Sequence, residues 1–324
     1  MTRRGPASSP GDAPPERREQ TRARYPDETG FVERDGVRVF WERYGDGSPT
    51  ILLMPTWSIF HARHWKGQIA YLARHFRVVT FDGRGNGRSD RPADKDAYAD
   101  TEFSADAVAV LDAAGTDTTF VAGLSMGAAY ALRLAIARPD RVLGLILFGP
   151  SIPMRVLPPT DDADGTDSFE DPQPTDEGWA KYNVHYWRRD WPGFAEWFAS
   201  ECIFTEPHST KQIEDAVGWT LETDPETIIA TERAPYLEPP PGWTADDPSH
   251  APGWAIAEAV RCPALVVNGT DDRLTSIATA RVLAQALRAP MVEVEGGGHA
   301  VIGRDPVLAN LLIRAFVEGR AVGR

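Results

Sequence analysis

The sequence predicts an α/β protein: a mostly parallel sheet with helices on both faces, interrupted by a helical insertion. Three observations carry that prediction. Strand-like runs such as Ile51-Leu52-Leu53-Met54 and Val142 to Phe148 are apolar throughout, as strands buried on both faces are. These runs alternate with amphipathic stretches of helical length. The alternation stops at Ser151 and resumes near Ala264, so the segment between them is inserted into a single sheet domain.

The elements follow in order. Gly30 to Tyr44 predicts a hairpin, with alternating runs Phe31-Val32-Glu33 and Val37 to Trp41 around the turn pair Asp35-Gly36. Ile51 to Met54, stopped by Pro55, suits a buried strand. A helix carrying Trp65, Ile69 and Leu72 leads to the strand Phe76 to Phe81. A second, with Phe103, Ala107, Val110 and Leu111, leads to Thr119-Phe120-Val121-Ala122. A third, Met126 to Ala137, leads to Val142 to Phe148. After the insertion come the strand Ala264 to Val267, a helix from Ser276 to Leu287, the strand Met291 to Val294 and a closing helix near Pro306 to Glu318. The expected organisation is a disordered tail over 1–24, a core domain formed by 25–150 and 261–324, and a helical lid over 151–260.

Composition narrows the function. No apolar run approaches the roughly 18 residues of a membrane span. The Arg-rich tail lacks the apolar segment of a signal peptide. Two cysteines, Cys202 and Cys262, without metal-ligand spacing fit a reducing compartment, so a cytoplasmic location is expected and no metal is. The net charge of −13 is concentrated in the insertion, where 22 Asp and Glu face 6 Lys and Arg. That balance argues against nucleic acid as a partner. The expected partner is a small-molecule substrate. The lid also holds Trp179, Trp187, Trp191, Trp197, Trp219, Trp243 and Trp254, which either line an apolar pocket or pack small helices onto the sheet.

Gly123-Leu124-Ser125-Met126-Gly127 is a G-x-S-x-G at the junction of a buried strand and a helix. There the chain must turn sharply, and small residues two before and two after the serine permit it. The helix N-terminus also aims free N–H groups at developing negative charge. A serine hydroxyl needs a base, and that base needs an orienting acid. His299, in Gly296-Gly297-Gly298-His299-Ala300, follows the last strand and is the expected base. Asn268-Gly269-Thr270-Asp271-Asp272 offers two acids after the preceding strand. The fourth position of a G-x-x-D turn points into a site, which favours Asp272 and leaves Asp271 as a turn residue.

Four segments resemble the α/β-hydrolase family, in the branch of enol-lactonases, cofactor-free haloperoxidases, carboxylesterases and meta-cleavage-product C–C hydrolases. They are Phe81 to Ser89, Gly123 to Gly127, Gly269 to Asp272 and Gly296 to Ala300. The resemblance implies an eight-stranded, mostly parallel sheet and no cofactor. It implies a structural role for Asp82 to Ser89, a glycine turn pinned by Asp82 and Arg84. It also places an oxyanion hole at the backbone N–H groups of Trp57 and Met126. One departure stands out, because the family's usual His-Gly after the third strand is Pro55-Thr56 in this chain. Thr56 is then a candidate substrate contact through its hydroxyl, or the cap of the following helix, and the cap is the favoured reading. His61 and His64 read as solvated or capping residues rather than a metal pair.

Together these readings predict a serine esterase or lactonase for a small or medium apolar acid, working through an acyl-enzyme. The same triad would serve a C–C hydrolase, a haloperoxidase or perhydrolase, or a slow-turnover ligand receptor.

Overall fold

The structure, a computed structural model, describes residues 23–154, 169–238 and 252–319. Residues 1–22 of the tail expected over 1–24, residues 155–168 and 239–251 of the insertion, and with them Trp243, lie outside the described residues.

Eight strands form one sheet: β1 (Glu28–Arg34), β2 (Val37–Tyr44), β3 (Thr50–Leu53), β4 (Arg77–Phe81), β5 (Thr119–Leu124), β6 (Val142–Phe148), β7 (Ala264–Gly269) and β8 (Met291–Val294). Their order is β1-β2-β4-β3-β5-β6-β7-β8. The first hairpin runs antiparallel to its neighbours, and every pairing from β4 to β8 is parallel. The hairpin turn is as expected for Asp-Gly. Asp35 and Gly36 both take positive φ, 54° and 77°, matching the twist of the strands they join.

Helices cover both faces because alternate strand residues point to opposite sides. On one face α1 (Lys66–Leu72) and the later α11 (Pro306–Val317) pack Ile69, Leu72, Ala309 and Ile313 over Ile51, Leu53, Val78 and Val267. On the other, α2 (Asp100–Ala113) and α3 (Met126–Ala137) cover Leu52, Val79, Val121 and Leu145. Each fully buried Val, Leu or Ile contributes roughly 1.5–3 kcal/mol to this core.

Between β6 and β7 there are helices and no strand among the described residues: α4 (Val184–Arg189), α5 (Trp191–Trp197), α6 (Thr210–Thr220), α7 (Pro225–Glu232) and α8 (Pro252–Ala259). The first four gather around a third apolar cluster built on Trp187, Phe194 and Phe198, joined from below by Trp57, Ile59 and Phe60. The fifth, α8, instead packs Ile256 and Ala257 into the core beside α3 and α9 (Ile277–Leu287). A short α10 (Val301–Arg304) precedes α11. No helix among the described residues is long and apolar enough to cross a membrane.

The Asp82 to Ser89 turn holds the loop beneath these helices. Arg84, 1% exposed, makes two hydrogen bonds to Asp106, of 2.6 and 2.8 Å. Asp82 accepts from the backbone N–H of Ala62 at 3.0 Å and of Arg88 at 2.9 Å. The hydroxyl of Ser89 donates to the Asp82 carbonyl at 2.6 Å and accepts from the N–H of Phe40 at 2.9 Å, so it is fully engaged.

Candidate active site

β5 ends at Leu124 and α3 begins at Met126, leaving Ser125 alone to make the corner. Its backbone sits at φ 57°, ψ −121°, a conformation that costs a non-glycine residue on the order of 1–3 kcal/mol. The surroundings hold it there. Its N–H donates to the Phe148 carbonyl at 2.9 Å, and its carbonyl accepts from Ala128 at 3.0 Å and Ser151 at 3.2 Å. The two glycines of the motif are needed sterically. A Cβ on Gly123 would strike the Gly127 backbone, and one on Gly127 would strike the Pro55 carbonyl.

His299 follows β8 on the glycine loop, and its ring is almost wholly buried. Nδ1 lies 3.0 and 3.1 Å from the two carboxylate oxygens of Asp272. That carboxylate is itself fixed, because Oδ1 accepts from the N–H groups of Leu274 and Thr275, both at 2.8 Å. An acceptor held in this way keeps Nδ1 protonated and leaves Nε2 as the free base. Asp271 is exposed, and its N–H closes the turn on the Gly297 carbonyl at 2.9 Å.

The segment Phe148 to Ser151 joins the two halves of the site. Both of its ends bond the Ser125 backbone, and between them Gly149 lies against the His299 ring. Two supports are not evident from the motifs. Gly149 has φ +45°, and a Cβ there would meet His299 Nδ1 at 3.2 Å. Glu206, in the turn before α6, accepts from the N–H of Gly298 at 2.7 Å and so ties the His299 loop to the insertion. A glycine after a strand and an acid in an acidic insertion give no distinctive signal in one sequence.

Trp57 and Met126, the expected oxyanion donors, both border the cavity that contains Ser125. Among the described residues neither backbone N–H donates to a backbone carbonyl. Thr56 is buried but does not line this cavity. Nor does it cap a helix. The helical turn Ala62–Trp65 is capped by His61, whose ring accepts from the Arg63 N–H, because five residues, Trp57 to His61, separate Thr56 from its start. His61 and His64 are buried rather than solvated. Desolvation lowers the pKa of His64 to about 3, which keeps it neutral.

The cavity holds about 600 Å³, enough for a medium-sized organic substrate. Trp57, Phe169, Trp179, Tyr182 and Phe198 supply aromatic wall, and Ser125, Ser151, Gln173 and Glu232 supply polar groups. Of the insertion's tryptophans, Trp179 faces this space, whereas Trp187 and Trp191 pack into the apolar cluster. Glu232 is delivered by α7. Asp224 caps that helix by accepting from the Thr227 N–H at 3.0 Å, Pro225 starts it, and Glu232 is its last residue. Next to it, Thr231 accepts a 2.8 Å hydrogen bond from the Trp57 indole, which fixes the helix end over the site. Burial raises the Glu232 carboxyl to about 7, against a lowering by the hydrogen bond from Tyr182.

Comparison with known proteins agrees with this fold. The family model described as alpha/beta hydrolase fold matches residues 49–306. A protein of Azorhizobium caulinodans, provisionally named a carbamate hydrolase, is 25% identical over 86% of this chain and 94% of its own. Among solved structures, Est816, titled an N-acyl homoserine lactone degrading enzyme, is 24% identical with a TM-score of 0.66, covering 89% of this chain and 100% of its own. The enol-lactonase of Burkholderia xenovorans LB400 is 21% identical with a TM-score of 0.68, over 89% and 100%. At these identities the two structures show the fold alone. With four-fifths of its length matched by the family model and its strand order complete, the chain belongs to the alpha/beta hydrolase fold family.

Proposed function

We propose that this hydrolase cleaves an ester or lactone of a small to medium carboxylic acid, using Ser125 as nucleophile. The observation that carries the reading is the strained Ser125 corner opening on a 600 Å³ cavity, with a buried His299–Asp272 pair linked to it through the Phe148–Ser151 segment. In the first step the Ser125 oxygen attacks the carbonyl carbon while His299 Nε2 takes the hydroxyl proton. The tetrahedral oxyanion is held by the N–H groups of Trp57 and Met126 at the α3 N-terminus. The intermediate collapses, His299 returns the proton to the departing alkoxide, and an acyl-enzyme remains. Water, deprotonated by the same imidazole, then releases the acid and restores Ser125. Asp272 stabilises the imidazolium in both halves. The site residues call for no cofactor in this scheme.

A serine at the elbow favours acyl transfer over the epoxide and haloalkane chemistry that requires a carboxylate there. Two unpaired cysteines, one buried and one half-buried, are consistent with a cytoplasmic protein. The test is a panel of nitrophenyl esters, lactones and meta-cleavage diketones assayed with purified protein. Turnover of esters or lactones is expected, and turnover confined to the diketones would replace this reading with C–C bond hydrolysis.

A further inference from the structure

Glu232 is an ionisable group in an aromatic chamber, and the mechanism above gives it no task. Among the described residues, the Tyr182 hydroxyl donates a hydrogen bond to the Glu232 carboxyl. Among the described residues lining the cavity there is no Lys, Arg or His to complete a charge pair. Glu232 is half-buried and lines the cavity. The hydroxyl of Tyr182 is likewise held at the wall, and its ring is the hub of the aromatic lining. Ring centroids of Trp57, Phe169, Trp179 and Phe198 lie 6.1, 6.0, 6.0 and 6.2 Å from it.

These two features complement one kind of guest. A half-buried carboxylate with no partner of opposite charge among the described lining residues is half of an ion pair. The negative faces of several aromatic rings attract the same sign of charge. A neutral apolar group would gain only the contact area of the rings. An anionic group would meet Glu232 with nothing to offset it.

We propose that the Glu232–Tyr182 pair and the surrounding rings form a recognition site for a cationic ammonium group carried by the substrate. The proposal rests on the reading of Ser125 as nucleophile, and it narrows the substrate class to esters or lactones with a protonated or quaternary amine at the end held under the cap helices. Burial raises the carboxyl to about 7, so the empty site holds a proton for part of the time near neutral pH. Entry of the cation favours the ionised form, and the carboxyl proton is released to solvent. Glu232 is a specificity residue in this scheme and takes no part in bond breaking.

The experiment measures binding first, independently of turnover. Choline and its carbon isostere dimethylbutanol, in which a quaternary carbon replaces the nitrogen, are titrated at about pH 8 with tryptophan fluorescence as the readout. The wild type and Ser125→Ala should both bind choline at least tenfold more tightly than the isostere. In Glu232→Gln the ratio should fall to within about threefold of unity. Nitrophenyl trimethylammonio-butanoate and its carbon isostere, compared by kcat/KM, should show the same ordering in the wild type. Equal or weaker binding of the cation by wild-type protein overturns the proposal, whether or not Glu232→Gln folds. Labelling of Ser125 by an uncharged phosphonate is scored separately. Its loss would count against the hydrolase reading, while equal affinities with labelling intact would count against cation recognition alone.

Discussion

Gly149 lies against the ring of His299, so close that a methyl group on its α-carbon would stand 3.2 Å from Nδ1 and 3.3 Å from Cε1. Its φ of +45° is one that side chains rarely adopt, so this position is restricted by both space and backbone. Gly149→Ala should therefore act on catalysis by displacing the imidazole. A loss of tenfold or more in kcat with KM little changed is expected, together with about 1–2 kcal/mol of stability. Steady-state kinetics beside a denaturant titration checks both. Unchanged kcat would mean that the ring position does not depend on this contact.

The two neighbouring acids should separate cleanly. Asp272→Asn removes the carboxylate that orients His299 and should cost on the order of 10⁴ in turnover, as loss of the orienting acid does in serine proteases. Asp271→Asn, at an exposed turn, should cost less than about threefold. The measurement is kcat/KM for one activated ester in both variants. A reversal would transfer the orienting role to Asp271.

Glu232 predicts a pH dependence with a definite sign. In the unfolded chain it titrates near 4.5, and in the folded protein near 7. The folded state thus holds the proton more tightly. The stability this contributes is complete below about 4.5 and is lost as pH rises through about 7. No charged side chain among the described residues offsets the change. Tyr182 donates to the carboxyl, and Tyr130 and Tyr236 feel its charge. Glu232→Gln should gain in Tm relative to wild type between about pH 5 and pH 8. In the wild type, the kcat/KM of an anionic ester relative to a neutral one should fall over the same interval. A ratio that is flat with pH would show that Glu232 does not face the bound substrate.

Thr56 tests the loop that carries Pro55. Its hydroxyl neither lines the cavity nor caps a helix. Thr56→Val should therefore reduce acylation of Ser125 by less than tenfold. Thr56→Pro should nearly silence it by distorting the turn that presents the Trp57 N–H. Pre-steady-state acylation by an activated ester distinguishes these outcomes. A hundredfold loss in Thr56→Val, with the fold preserved, would make the hydroxyl an oxyanion donor after all.

Much of this architecture is legible in the sequence, because parallel strands buried on both faces leave continuous apolar runs such as Leu145-Ile146-Leu147-Phe148. The Ser125 corner, Asp272 and His299 are legible too, since each lies at a strand's carboxyl end in a glycine-bearing turn. Other features depend on contacts between distant segments. Glu232 is one of 22 acids in a segment whose charge suggests solvation, and its place in the cavity wall comes from its contact with Tyr182 and from the Trp57–Thr231 hydrogen bond that holds the end of its helix. His61 and His64 look like surface histidines until the cap helices cover them. Helix α8 carries no local sign that it packs into the core while the helices before it form the cap.

The central claim is that Ser125 is the nucleophile, and covalent labelling tests it most directly. Wild-type protein treated with an uncharged fluorophosphonate should carry one adduct, located by peptide mass spectrometry on Ser125. Ser125→Ala should retain its fold, lose the label and lose all ester turnover. Ser89 serves as an internal control, since its hydroxyl is buried and engaged on both sides. Labelling or turnover that persists in a folded Ser125→Ala protein would contradict the mechanism.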